Sequence, residues 1–107
     1  MNDGQALWEQ SSSELMGTDP RIDRSTMMGL PCLRLGGLFF ASFDKRAGDL
    51  VVKLAAEDVA ARIQRGAGRP FAPAGKVFRE WLAIAPGDDD VWRSALADAL
   101  AFARTAS

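Results

Sequence analysis

Few side chains in this 107-residue chain could carry out chemistry, because it contains no histidine and only one cysteine, Cys32. A nucleophilic thiol needs a lowered pKa, which usually comes from a neighbouring imidazole or a helix N-terminus. Cys32 instead alternates with leucines in an apolar run, so we predict a small buried hydrophobic residue. A serine–histidine–acid triad is impossible without histidine, and one cysteine allows no intrachain disulfide. The chain is therefore predicted to be no enzyme and to hold no cofactor.

Two further segments resemble ligand sites and fail in detail. A phosphate-binding loop needs GxxxxGK followed by Ser or Thr, but six residues separate Gly68 from Gly75, and Val77 follows Lys76. The acidic run Asp88–Asp90 could hold a divalent cation. Carboxylates at a helix start also cap free N–H groups and favour the positive end of the helix dipole, which already explains the run. No metal site is predicted.

The charge is unevenly distributed, although the net charge of −1 argues against a global attraction to nucleic acid or anionic lipid. Between residues 60 and 82 five bases oppose one acid, and between residues 1 and 30 five acids oppose two bases. The basic stretch is either an ordinary solvated surface or a binding patch. The candidate patch residues are Lys53, Arg62, Arg65, Arg69, Lys76 and Arg79.

Four large aromatic residues in the C-terminal half could form a stacking platform for bases or a flat ligand, namely Phe71, Phe78, Trp81 and Trp92. Packing in the core is the competing interpretation. We favour it, because a domain of this size needs its large apolar side chains inside.

Hydrophobic spacing and turn residues predict the elements that would position these groups. Residues 30–54 form three short apolar runs, interrupted by Gly36-Gly37 and by the polar turn Asp44–Asp49, as in an antiparallel meander. Residues 68–75 hold two prolines and two glycines, which predicts an extended loop anchored by Phe71. Helices are predicted at 5–16, at 56–65 and after Asp88–Asp90, and strands at 22–28, 30–35, 38–43, 50–54 and 76–85.

The resulting fold class is α+β, with one curved antiparallel sheet of about five strands and helices packed against it. The predicted order is α-β-β-β-β-α-β-α, within a single domain spanning residues 1–107 whose first four residues fray. Helix remains the alternative for Lys76–Ala85. No export signal and no apolar run long enough for a membrane span are visible, so a cytoplasmic protein is expected.

Several short motifs, in this order and spacing, resemble the N-terminal domain of the TfoX (Sxy) competence-regulator family. They are Met27–Gly29, Leu33–Ala41, Asp49–Leu54, Gly68–Phe71, Gly75-Lys76, Glu80-Trp81, Trp92 and Ala99-Leu100, so the resemblance covers about Thr26 to Arg104. It implies a compact α+β domain with one curved antiparallel sheet. Full-length members are positive regulators of DNA-uptake genes and act beside another transcription factor. Met28 stands where the family usually has Phe, and the N-terminal helix is unlike the family's.

Three functions follow as hypotheses. The first is a non-enzymatic binding or regulatory module that contacts a protein partner, with a homodimer through an exposed strand edge as one form of it. The second is a weak nucleic-acid binder that uses the basic patch. The third is a small-molecule pocket or an uncharacterised enzyme site between sheet and helices, where Lys53 or Arg69 meets an anion.

Overall fold

The computed structural model describes residues 3–106, which form three helices and six strands in one antiparallel sheet. Along the sheet the strands follow the order β1-β2-β3-β4-β6-β5. The α+β class predicted from the sequence is confirmed. The helices are α1 (Asp3–Thr18), α2 (Ala56–Gln64) and α3 (Asp89–Ala106), and the strands are β1 (Ile22–Met27), β2 (Leu30–Leu35), β3 (Leu38–Asp44), β4 (Asp49–Lys53), β5 (Arg69–Phe71) and β6 (Phe78–Ile84).

Two-residue turns join the first three strands into a meander. The predicted turn at Gly36-Gly37 has positive φ angles of 55° and 90°, as primed hairpin turns require. Met28, which the alternation placed in the first strand, lies instead in the β1–β2 turn with φ 54°, followed by Gly29 at 76°. Residues other than glycine rarely adopt a positive φ. Apolar alternation alone therefore extends the predicted strand one residue too far, into the turn at Met28.

The number of strands is six rather than about five, because Arg69–Phe71 is a strand and not an extended loop. It pairs with β6, Arg69 opposite Ala83 and Pro70 opposite Leu82. Proline has no N–H to donate, so it is tolerated where one side of the strand has no neighbour. β5 is such an edge strand. The predicted strand at Lys76–Ala85 is confirmed as β6, which settles the helix alternative.

The core lies on one face of the sheet, beneath α1 and α3. Within the core, the ring of Phe43 packs between Trp8 of α1 and Trp92 of α3. Its centroid lies 6.2 Å from that of Trp8 and 6.3 Å from that of Trp92. The indole Nε1 of Trp92 donates a hydrogen bond to the carbonyl of Ala85 at 3.0 Å, which fixes α3 against the end of β6. These rings and the aliphatic side chains buried around them stabilise the fold by removing apolar surface from water.

Helix boundaries agree with the expected capping residues, with small shifts. α1 starts at Asp3 rather than at residue 5, and residues 1–2 of the predicted frayed end lie outside the described residues. α3 follows Asp88, whose carboxylate accepts a hydrogen bond from the N–H of Asp90 at 2.9 Å, as predicted for a cap. α2 has no side-chain cap at Ala55, and Gly66 follows the helix with φ 80°.

Candidate binding groove

The groups with potential reactivity are enclosed in the sheet. Cys32 is 1% exposed and lies opposite Ser42 in β3. Burial raises the pKa of its thiol, so the thiolate is disfavoured. The hydroxyl of Ser42 donates a hydrogen bond to the carbonyl of Pro31 at 2.9 Å. Within residues 3–106, no group of three or more acidic, histidine or cysteine side chains is arranged to hold a metal ion.

Arg62, one of the candidate patch residues, forms ion pairs within the fold. Its guanidinium pairs with Asp58 one helical turn earlier at 3.2 Å and with Asp98 of α3 at 2.8 Å. Its side chain is 16% exposed, so this network fastens α2 to α3. The two carboxylates raise the pKa of Arg62 against an opposing effect of burial.

Arg69 is also used inside the fold, where it reaches across the neighbouring strand. It extends from β5 over β6 and forms an ion pair with Asp49 of β4. Ala83 of β6 pairs with Arg69 on one side and with Val51 of β4 on the other. Asp49 lies two residues before Val51, on the same face of the sheet, so Arg69 reaches it diagonally. Asp49 is almost fully buried, and burial raises the pKa of its carboxyl although Arg69 lowers it.

The other four patch residues form no ion pair or side-chain hydrogen bond recorded for the described part of the chain. Lys53 lies opposite Trp81 in the β4–β6 register, so the two side chains share a face of the sheet. Lys76 precedes Val77 in the segment that enters β6, and Arg79 belongs to β6 itself. Arg65 follows the end of α2. The six candidates thus divide into two structural arginines and four uncommitted cations.

An apolar groove lies between α2 and the start of β6, with a volume of about 440 Å³. This is within the usual range of roughly 300–1,000 Å³ for ligand pockets. One wall is a side of α2. The other wall is formed by Pro70, Val77 and the first residues of β6. The lining residues are Ala56, Glu57, Val59, Ala60, Ile63, Pro70, Val77, Phe78, Arg79 and Trp81.

Incomplete burial of large apolar side chains distinguishes this groove from the core. Val77 is 53% exposed, and Ile63, Phe78 and Trp81 are each only partly buried. Neighbouring hydrophobic residues that stay accessible to water are typical of interaction sites. The sequence marks Trp81, Phe78 and Arg79 separately as candidates but does not reveal the groove, because its α2 wall is about 20 residues away along the chain.

The four candidate aromatic residues do not form one platform. Trp92 and Phe71 are buried, which agrees with the core-packing interpretation. The ring of Phe71 lies 5.9 Å from that of Phe78, and this contact supports the β5–β6 end of the groove. Trp81 is the tryptophan that remains partly exposed, since Trp8 and Trp92 are 3% and 1% exposed. The aromatic surface of the groove is therefore formed by the partly exposed rings of Trp81 and Phe78.

Over the described residues, 3–106, the chain has a three-helix, six-stranded α+β fold with an apolar surface groove. Comparison with protein-family models, with curated proteins and with solved structures finds no match. Within residues 3–106, no helix has both the length and the apolar character needed to cross a bilayer.

Proposed function

We propose that this chain is a non-enzymatic binding module that recognises a segment of a partner protein in the groove between α2 and β6. The observation that supports the proposal is the unfilled apolar surface around Val77, Phe78 and Trp81. Grooves between a helix and a strand commonly accept apolar anchor residues of a peptide. The partly exposed side chains would gain burial only when such a segment binds.

The resemblance to the TfoX N-terminal domain extends the proposal to a cytoplasmic regulatory protein that acts through contacts with the transcription machinery. The groove supplies a surface for such contacts. The buried thiol of Cys32 is compatible with a reducing compartment, where a free cysteine is stable.

Self-association through a strand edge has less structural support than binding of a partner in the groove. β5 is a three-residue edge that contains Pro70. The other edge strand, β1, carries Asp23 and Arg24, which are paired with Arg34 and Glu9 respectively. Charged side chains on an edge strand oppose edge-to-edge pairing, so we base the proposal on the groove.

Selection from a random peptide library on the immobilised protein tests the proposal. Val77→Asp places a charge in the groove at a residue that is already 53% exposed, so the fold should tolerate it. Val91→Asp is the matched control, because Val91 is 46% exposed and does not line the groove. We expect selected peptides to bind the unmodified and Val91→Asp proteins but not Val77→Asp. Failure to enrich any peptide, or equal binding to all three proteins, would refute the proposal.

A further inference from the structure

The groove is bordered by more cations than acids. On the β6 side Arg79 lines the groove, Lys53 lies opposite Trp81 and Lys76 precedes Val77. No acidic partner of these three cations is recorded among residues 3–106. On the α2 side the groove is lined by one acid, Glu57. Glu80 also belongs to β6, so the β6 side carries these three cations and one acid. The β6 wall is thus apolar in its centre and positive at its border.

Two of the nearby acids are already engaged elsewhere. Asp58 is paired with Arg62, and Asp49 is paired with Arg69 on another part of the sheet. The positive charge beside Trp81 is therefore left for a ligand. Uncommitted cations at the border of an apolar site select partners by charge complementarity and accelerate their encounter.

From this arrangement we infer that the groove binds an acidic amphipathic peptide segment. Large apolar side chains of the segment enter between Ile63 and Trp81, and its carboxylates pair with Lys53, Lys76 and Arg79. The inference rests on the proposed function and specifies the chemistry of the partner. A segment of this kind buries its apolar side chains against the groove and places its charges at the hydrated border.

The same observations favour a peptide over a nucleic acid. A nucleic-acid site needs a continuous basic track with exposed aromatic faces. Arg62 and Arg69, which would extend the track, are held in ion pairs within the fold. Glu57 on the facing wall would repel phosphates, whereas a peptide can direct a basic or neutral residue towards it.

Tryptophan fluorescence provides a local signal for the test. Trp8 and Trp92 are buried, so quenching by acrylamide reports mainly on Trp81. Three synthetic probes are compared on the full chain: a short peptide with leucine, phenylalanine and glutamate, the same peptide with lysine in place of glutamate, and an oligothymidylate of similar length. The glutamate peptide should protect Trp81 from acrylamide and bind at least about tenfold more tightly than the lysine peptide, given three border contacts worth about two- to fivefold each.

Charge-reversal variants identify the residues that determine the preference. Arg79→Glu should weaken the glutamate peptide about two- to fivefold, and adding Lys53→Glu should reverse the preference towards the lysine peptide. Arg65→Glu is the matched control, since Arg65 is an uncommitted cation outside the groove lining. Circular dichroism verifies that each variant is folded. Added salt should weaken the glutamate peptide, because the paired charges are solvent-exposed.

The outcomes separate the inference from the proposed function. If both peptides bind equally and Val77→Asp abolishes both, the groove binds proteins but the acidic preference is wrong. If the oligothymidylate alone protects Trp81, the site is a nucleic-acid site and both proposals fail. Both also fail if none of the three probes protects Trp81 from acrylamide.

Discussion

Replacing Arg69 with alanine would leave a buried carboxylate without its cation. Asp49 has a side chain that is 6% exposed, and Arg69 reaches it diagonally across β6 from the edge of the sheet. Burial already raises the pKa of Asp49 above its ordinary value of 3.8, and Arg69 lowers it again in part. The arginine therefore compensates a charge that the fold holds away from water.

The expected loss of stability in Arg69→Ala lies between the values typical of breaking an exposed ion pair and of breaking a buried one. Breaking a buried ion pair costs about 3–5 kcal/mol, and an exposed pair is worth at most about 1 kcal/mol. Because the Arg69 side chain is 59% exposed, solvent screens part of the interaction. We expect Arg69→Ala to lower the free energy of unfolding by about 1–3 kcal/mol at neutral pH.

The pH dependence separates the electrostatic effect from lost packing. Without Arg69, the pKa of Asp49 in the folded state should rise further above its unfolded value. A raised carboxyl pKa means that protonation favours the folded state; this contribution is complete below the unfolded pKa and is lost as the pH rises through the folded pKa. The penalty of Arg69→Ala should therefore be greatest at neutral pH and shrink as the solution is acidified towards the unfolded pKa.

Urea unfolding followed by far-UV circular dichroism, at neutral and at mildly acidic pH, measures both effects. Arg65→Ala is the control and should change stability by less than about 0.5 kcal/mol, because this surface arginine has no recorded partner in the described chain. Adding Asp49→Asn to Arg69→Ala should recover part of the loss, since no buried charge remains. An equal loss at both pH values would show that Arg69 acts by packing, and no loss would refute the reasoning.

Two further predictions concern the ends of elements. Arg21 lowers the pKa of Asp19 to about 2. The ionised carboxylate therefore stabilises the fold above its unfolded pKa of 3.8, and this contribution is lost as the pH falls through about 2. Asp19→Asn should flatten the measured dependence of stability on pH in that window, and an unchanged dependence would contradict this prediction. Gly68→Ala would place a Cβ 2.6 Å from Cδ1 of Leu82 and should lower the unfolding midpoint in urea by overpacking worth about 1–3 kcal/mol. Gly87→Ala, where nothing lies within 4 Å of the new Cβ, is its control, and equal effects of the two would exclude the steric explanation.

The elements with strong local signals could be predicted from the sequence alone. The glycine turn at Gly36-Gly37, the alternation of β4 and β6, and the acidic start of α3 each act within a few residues. Their conformations follow from steric limits, side-chain alternation and capping, which need no distant partner. The α+β class follows from their order, and the single buried thiol from the leucines around it.

Strand pairing and ion pairing between residues far apart in the chain could not be predicted from local sequence. β5 has only three residues and exists because β6 offers it hydrogen bonds, so its own sequence resembles a loop. Arg69 shows no partner in the sequence, and Arg62 shows only Asp58, one helical turn earlier, a pair that its spacing indicates and the structure contains. The other partners, Asp98 of Arg62 and Asp49 of Arg69, lie 36 and 20 residues away, and only the folded chain brings them together.

The sequence by itself therefore determined which residues are cationic, apolar or turn-forming, because these properties belong to each side chain and its immediate neighbours. The tertiary structure decided which cations are neutralised and where apolar surface is left uncovered. The packing of α2 beside β6 sets the distance between Ile63 and Trp81, and with it the groove. Both outcomes depend on the distance between groups far apart in the chain, since ion pairing and burial act through space.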